Sequence, residues 1–345
     1  MTMPAVVLTK QRRIALQDRP RPRLRPDQIL VEVDLCGICG SDLHASQLPQ
    51  VYRGDCILGH EPTGRVAEVG GNVADWAAGQ RVTVNPNGNV DGSCVYCRSG
   101  RPNFCRQATL ETALGLQADG ALAPLMAAFP GHLRRIPDEL GTLEAAWVEP
   151  TATALRAVEL AGRTVLVTGG GPIGQLACRL VHLRSPAQIL LMEPAGQRAQ
   201  FATASRAVSL AADAAQGDAR GLGVDVALEC SGSAAATSAA LKLLRPGGIL
   251  VVVGAGPDPG LDSATILLKE ITVRGSYIYT DEFDRAIHLL ATQQITVADL
   301  TTVISPLPGA PAAFDALRAG RIMKALIAPG MHHTAEGTQA KGTKE

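Results

Sequence analysis

The chain has 345 residues, 46% of them apolar and 19% charged, with 32 basic side chains against 32 acidic ones. That length supports two domains with separate cores. A formal charge of zero gives no basis for a nucleic-acid surface, which needs a basic patch, and no apolar run reaches the ~20 residues of a membrane span.

The start, MTMPAVVLTK, holds no signal-peptide core, so the eight cysteines are expected in a cytoplasmic setting, serving metal or thiol chemistry rather than disulfides. Residues 5–9 and 28–34 read as strands. The run between them, RPRPRLRP, reads as a stiff surface connection rather than a nucleic-acid arm.

CGICGSDLH follows, then fourteen residues, then Gly59-His60-Glu61. Cys39, His60 and Glu61 offer a thiolate, an imidazole and a carboxylate. Zinc accepts those ligand types, and three protein ligands with an open position make a catalytic site. Cys39 and His60 are too far apart for one helical face, so a fold must bring them together. Neighbours on a strand point to opposite faces, so a metal shared by His60 and Glu61 requires a bend, expected from Gly59 and Pro62. Asp42 is a candidate to hold the second ring nitrogen of His60. Ser41 and His44 are candidates to carry a proton from the substrate alcohol to water. Any one of these residues alone reads as a core thiol or a surface histidine; the set followed by GHE points to a metal.

Residues 64–84 carry short β-branched runs broken by glycines, a compact antiparallel region. Asp91, Cys94, Cys97 and Cys105 come next. Three cysteines at this spacing suggest a structural zinc in a closed four-ligand lobe. Asp91 stands where a fourth cysteine would complete the series; its carboxylate is a zinc ligand, or else the lobe is a loop kept by packing. Residues 113–136 read as further strands and turns.

Residues 163–168 form the short apolar run of a buried parallel strand. Gly169, Gly170, Gly171, Pro172, Ile173 and Gly174 follow at once, then an apolar helical pattern, then a second strand, QILLM, ending at Glu193. This is the complete context of a dinucleotide-binding fingerprint. Gly169 permits the turn, Gly171 the approach of a pyrophosphate and Gly174 close helix–strand packing, with the helix N-terminus facing the phosphates. Glu193 lies nineteen residues past Gly174, where an acidic group binds ribose hydroxyls and repels a 2′-phosphate, favouring NAD over NADP. Arg198 is placed to pair with Glu193 or to contact a phosphate. The alternation continues through strands at 224–228, 249–253 and 271–276, a helix at 234–244 and a turn at 245–248. Backbone at Gly232 and Gly254 is expected against the cofactor, and Cys230 reads as a core thiol. Helices at 282–292 and 311–319 and strands near 299–304 and 323–327 follow. The polar tail from Met331 is expected to be disordered.

CGICGSDLH, GHE, the cysteine lobe, VEP, GGGPIG, ECSG and RPGG occur in the order seen in zinc-dependent medium-chain alcohol dehydrogenases. The chain resembles their polyol branch, which includes sorbitol, butanediol and threonine dehydrogenases, from residue 5 to 329. The resemblance implies an α/β protein in which a Rossmann doubly wound parallel sheet is inserted in a GroES-like β-rich catalytic domain. Residues 1–150 and 286–330 would form the catalytic domain, 151–285 the nucleotide domain and 331–345 the tail. It implies a homodimer or homotetramer, Glu149 as an additional or exchanging zinc ligand, and Ser41 and His44 as relay residues. The expected activity is hydride transfer between NAD and a secondary alcohol, a diol, polyol, sugar or amino alcohol. The alternatives are a biosynthetic NAD(P)H-dependent ketoreductase and a non-catalytic dinucleotide-binding protein, which lost metal ligands would mark. The chain departs from the pattern at Asp91, at Ile278, where sorbitol dehydrogenases commonly carry arginine, and at Pro124 and Leu125, where relatives show an acidic residue and an aromatic one.

Overall fold

The computed structural model describes residues 1–160, 162–210, 223–256 and 260–330; the tail expected to be disordered lies outside them. The strands in chain order are β1 (Thr2–Leu8), β2 (Ile14–Pro20), β3 (Ile29–Gly37), β4 (Cys56–Ile57), β5 (Glu61–Val69), β6 (Arg81–Val84), β7 (Leu125–Ala128) and β8 (Leu133–Arg135). They continue with β9 (Thr164–Thr168), β10 (Gln188–Met192), β11 (Val208–Leu210), β12 (Val224–Glu229), β13 (Leu244–Val252), β14 (Thr272–Gly275), β15 (Val303–Pro306) and β16 (Ala325–Ala328).

β9 reads TVLVT and is buried after its first residue. Its side chains alternate between two cores. Val165 and Val167 pack with Leu176 and Leu180 of the helix Pro172–His182, while Leu166 packs with Ala240 and Leu241 of the helix Ala234–Leu243. A parallel strand covered by helices on both faces has no polar side, hence its unbroken apolar run. Each such side chain contributes about 1.5–3 kcal/mol on burial. The sheet order is β11-β10-β9-β12-β13-β14, all parallel. The order reverses between β9 and β12, and ligands of such sheets bind in the crevice beyond the carboxyl ends there.

The other half is antiparallel apart from the β15–β16 pair: a sheet β2-β1-β4, and a sheet β15-β16-β3-β5-β6-β8 in which β7 also pairs with β3. β16 is the returning segment, laid against β3 with Leu326 opposite Gly37. Trp147, where the chain leaves this half, donates its indole N–H to Thr301 Oγ1 at 2.9 Å, where the chain comes back.

Several expectations need adjustment. β2 runs into the arginine- and proline-rich stretch. It is an edge strand of IALQDRP, largely exposed, so its pattern carries little apolar signal. Pro62 is inside β5, opposite Cys36, and supplies no bend. Residues 245–248, expected as a turn, fall within β13 at a register irregularity, with Gly247 at φ +71. A helix at Ser263–Leu268 was not anticipated, because its leucines face outward. Phe283, Leu290 and Leu300 share a core with the parallel sheet, as do Ile136 and Met323, so packing is continuous across the boundary expected at 286.

Candidate active site

Strand register assembles the site. Gly37 at the end of β3 pairs with Glu61 at the start of β5. Cys39, two residues beyond Gly37, is thereby brought to His60 and Glu61. Cys39 is the N-cap of the short helix Gly40–Leu43. Gly59, at φ +98, turns the chain so that His60 and Glu61 converge. A side chain there would also collide with Leu122 N at 2.7 Å, so glycine is required twice over. The ligand atoms of Cys39, His60 and Glu61 lie within 4.8 Å of one another.

Asp42 is fully buried. It accepts the Cys39 N–H at 3.0 Å and the Tyr52 hydroxyl at 3.1 Å, and its Oδ1 lies 3.4 Å from His60 Nδ1. His60 Nδ1 has no hydrogen bond of good geometry. A ring held from this side presents its other nitrogen to Cys39 and Glu61, as a metal-binding histidine does. Burial opposes charge on His60, but Asp42 and Cys39 outweigh it and hold the metal-free imidazole well above its usual range. Thiolate, imidazole and carboxylate at these separations fit a zinc ion.

Two neighbours add to this set. Glu149 lies in the first turn of the helix Val148–Ala157 and is buried. Burial pushes its carboxyl up to about 7, opposed by His60 and reinforced by Glu61. Lys324, just before β16, sequence reading missed altogether. Its ammonium pairs with Glu61 Oε2 while sitting 5.4 Å from the centre of the Trp147 ring. Both side chains are almost wholly buried. β5 and β16 flank β3 on either side, so Glu61 and Lys324 meet across Gly37. A methyl on Gly37 would lie 2.0 Å from Glu61 Oε2. Burial alone would lower the Lys324 pKa; Glu61 overrides it and raises it. The sequence signal was a lone lysine in the apolar run IMKALIA.

Ser41 Oγ is 2.7 Å from Tyr52 Oη. His44 is exposed at the end of its helix, and among the described residues its side chain makes no hydrogen bond to Ser41. The structure therefore joins Ser41 to Tyr52 rather than to His44.

The helix carrying Glu149 packs against the helix Pro172–His182, which opens on the nucleotide fingerprint. Gly169 has φ +87, and a Cβ on Gly174 would lie 1.8 Å from Gly169 O. A Cβ on Gly171 would meet nothing within 4 Å, so this glycine borders open space. Gly171 caps the helix without a side-chain hydrogen bond and Pro172 occupies its first turn, leaving backbone N–H groups for an anion. Ile173 packs on the core of the parallel sheet. Glu193 accepts N–H groups from Gly170 at 2.6 Å and Ala195 at 2.8 Å, which holds its carboxylate beside the fingerprint loop. Arg198 Nε is buried without a partner, and no ion pair to Glu193 forms among the described residues. Gly232, at φ +68, faces Gly254 at the ends of β12 and β13, and Glu229, unforeseen, ties this corner by accepting from Ser231 N and Gly232 N. These features fit a dinucleotide.

Ile278 adopts φ +43, a strained value for a β-branched residue. Next to it, Tyr279 is buried with its hydroxyl beside Glu149, in a contact short of good hydrogen-bond geometry. The Pro124 carbonyl accepts from Val33 N–H, and Leu125 opens β7.

In the cysteine lobe, the ligand atoms of Asp91, Cys94, Cys97 and Cys105 lie within 4.8 Å of one another. Cys94 Sγ and Cys97 Sγ are 3.6 Å apart, against about 3.8 Å for two thiolates on a tetrahedral zinc. Asp91 also accepts N–H groups from Ser93 and Cys94, so its carboxylate is held toward the thiols. The lobe fits a second zinc.

Comparison with known proteins agrees with this geometry. Residues 25–138 match the alcohol dehydrogenase GroES-like domain and residues 172–292 the zinc-binding dehydrogenase domain. D-xylulose reductase A of Aspergillus oryzae is 30% identical over 93% of this chain and 95% of its own, and the sorbitol dehydrogenase of Halalkalibacterium halodurans 30% identical over 91% and 95%. Among solved structures, a protein of Sinorhizobium meliloti described as a zinc-binding dehydrogenase, bound to NADP, superimposes with a TM-score of 0.85. It is 32% identical over 95% of this chain and all of its own. The (2R,3R)-butanediol dehydrogenase of Bacillus subtilis gives 0.80, with 27% identity over 95% and 100%. The chain belongs to the zinc-dependent medium-chain dehydrogenases, in their polyol branch, and is an alcohol dehydrogenase acting on CH–OH groups.

Proposed function

We propose that the protein oxidises a secondary alcohol within a small polyhydroxylated molecule, a diol, polyol or sugar, with NAD as hydride acceptor. The observation that carries this is the convergence of Cys39, His60 and Glu61 on one point, with Glu149 and Tyr279 closing it from the nucleotide-binding half. Cys39, His60 and Glu61 hold zinc, with Glu149 as the exchanging carboxylate, and Asp91, Cys94, Cys97 and Cys105 hold a second, structural ion. When bound, the catalytic zinc lowers the pKa of a substrate hydroxyl, and the nicotinamide supplies the redox chemistry. Asp42 orients His60. Ser41 accepts the hydrogen bond of the substrate hydroxyl. The backbone from Gly169 to Gly174 binds the pyrophosphate, and Glu193 faces the ribose hydroxyls and sets NAD above NADP. The relatives named for xylulose, sorbitol and butanediol support the substrate class.

The assembly we propose is a homodimer or homotetramer. The edge strand β14 is exposed along its length and, among the described residues, pairs only with β13, and Leu267 and Leu268 beside it are 76% and 83% exposed. Exposed apolar groups next to an open strand edge favour pairing with another copy. The eight free cysteines support a reducing, cytoplasmic setting, and no helix among the described residues is long and apolar enough to cross a membrane.

The test is nicotinamide reduction by the zinc-loaded protein over a panel of diols, polyols, aldoses and simple secondary alcohols, with NAD and NADP in parallel. Turnover of vicinal diols or polyols with NAD, lost on chelation and restored by zinc, is the expected outcome. Turnover that survives complete removal of zinc overturns the mechanism.

A further inference from the structure

Tyr52 is fully buried, yet it sits in a polar loop and belongs to no recognised motif. Its hydroxyl touches both polar neighbours of the metal ligands, lying 2.7 Å from Ser41 Oγ and 3.1 Å from Asp42 Oδ1. The direction of these two bonds follows from counting protons. The Asp42 carboxylate accepts from Cys39 N–H through Oδ2, and through Oδ1 it accepts from Tyr52. A phenol has one proton to give. With that proton committed to Asp42, the contact with Ser41 is a bond in which Ser41 donates and Tyr52 accepts. Ser41 has no other side-chain partner among the described residues. Its oxygen therefore keeps its remaining capacity as an acceptor only.

The loop carrying Tyr52 is held in place from outside. Arg12, at φ +60 in the β1–β2 turn, donates to Ser46 O at 3.0 Å, to Tyr52 O at 3.0 Å and to Ala45 O. The Tyr52 ring stands edge-on to His60, with centroids 6.5 Å apart. Buried, clamped and doubly bonded, the phenol has one orientation.

We propose that Tyr52 is a positioning residue for alcohol oxidation: it draws the Ser41 proton toward itself, so that Ser41 Oγ meets the substrate hydroxyl as an acceptor and not as a competing donor. The inference rests on the reading of Ser41 as the group that meets that hydroxyl. It also joins the relay to the metal ligands in one array, Ser41 to Tyr52 to Asp42, with His60 alongside.

Two measurements test it. Neutron diffraction from the deuterated, zinc-loaded protein is expected to place the Ser41 deuteron on the line to Tyr52 Oη and the Tyr52 deuteron on the line to Asp42 Oδ1. A Tyr52 deuteron pointing at Ser41 overturns the proposal without reference to activity. In steady-state kinetics, Tyr52→Phe keeps the ring and is expected to lower kcat for alcohol oxidation roughly tenfold or more, with zinc content and the KM for NAD within about twofold. In a Ser41→Ala background the same change is expected to lower kcat less than about twofold, because a residue acting through Ser41 has nothing left to position. Equal losses in both backgrounds mark a merely structural role and overturn the proposal, leaving the dehydrogenase reading intact. A wild-type protein that carries the array yet turns over no alcohol overturns the reaction and the positioning role together.

Discussion

Replacing Lys324 with methionine probes the electrostatics of the site most directly. The side chain keeps its length and loses its charge. In the metal-free protein Glu61 would then be a buried carboxylate without its partner. Both groups are nearly inaccessible, at 2% and 1% exposure, so this is the case in which breaking a pair costs about 3–5 kcal/mol. In the zinc-loaded protein the dication offsets the charge of Glu61, and a loss of about 1–2 kcal/mol remains for packing against Trp147 and altered hydrogen bonding. The thermodynamic cycle requires the difference, about 2–3 kcal/mol, to appear as tighter zinc binding, about 30- to 150-fold. Denaturant unfolding of both forms gives the two stability terms, and competition with a chromophoric chelator gives the affinity. A variant that binds zinc more weakly than wild type, or that is destabilised equally with and without metal, would refute the view that Lys324 and the ion compete for Glu61.

Glu193→Ala is expected to raise the ratio of kcat/KM with NADP to that with NAD by about tenfold, since removing the carboxylate removes the repulsion of a 2′-phosphate; an unchanged ratio moves the discrimination elsewhere. Asp91→Ala is expected to lower zinc from two to one per chain by atomic absorption while leaving turnover at the first site, because the lobe loses both a ligand and the acceptor for Ser93 and Cys94. His132 accepts the Phe129 N–H and is buried, and burial depresses its pKa to about 4. A histidine depressed in the fold is neutral there and charges on unfolding, so stability falls as pH drops from ~6.5 through about 4, by roughly 3 kcal/mol. His132→Gln should flatten that part of the stability profile, and an unchanged acid limb would count against it. His60 is raised in the metal-free chain, so zinc must displace its proton. Zinc affinity should therefore climb with pH until that proton is gone, which calorimetry in buffers of different ionisation enthalpy would detect as proton release.

The parts of the site legible in the sequence are those built from neighbours in the chain. GGGPIG works because a turn, an open approach and a close contact fall within six residues, so local spacing encodes the geometry. His60 and Glu61 were legible for the same reason. Lys324 was not, because it reaches Glu61 across 263 positions of sequence, and only the order β16-β3-β5 makes them neighbours. Tyr52 was hidden for another reason: it lies in a loop without periodicity, tied by Arg12 from 40 positions away. His44 is a different case. Its place in CGICGSDLH suggests a relay, and the structure leaves its side chain exposed at the end of the helix Gly40–Leu43, where a contact to Ser41 would depend on groups bound between them. The helix Ser263–Leu268 and the edge strand β2 escaped notice because each sets few residues on a core, Ile266 and Ile14, and leaves most of the others exposed.

The hydrogen bond between Trp147 and Thr301 has a mechanical consequence. A swing of the two halves about the line through these crossings would have to break the other contacts that join them, the Asn103 amide on Tyr277 O at 3.2 Å and Phe104 stacked on Tyr277. Trp147 also lies against Lys324, so the axle of that swing borders the ion pair at the metal ligands. Any such opening would have its smallest displacement nearest the axle, beside Lys324 and Glu61.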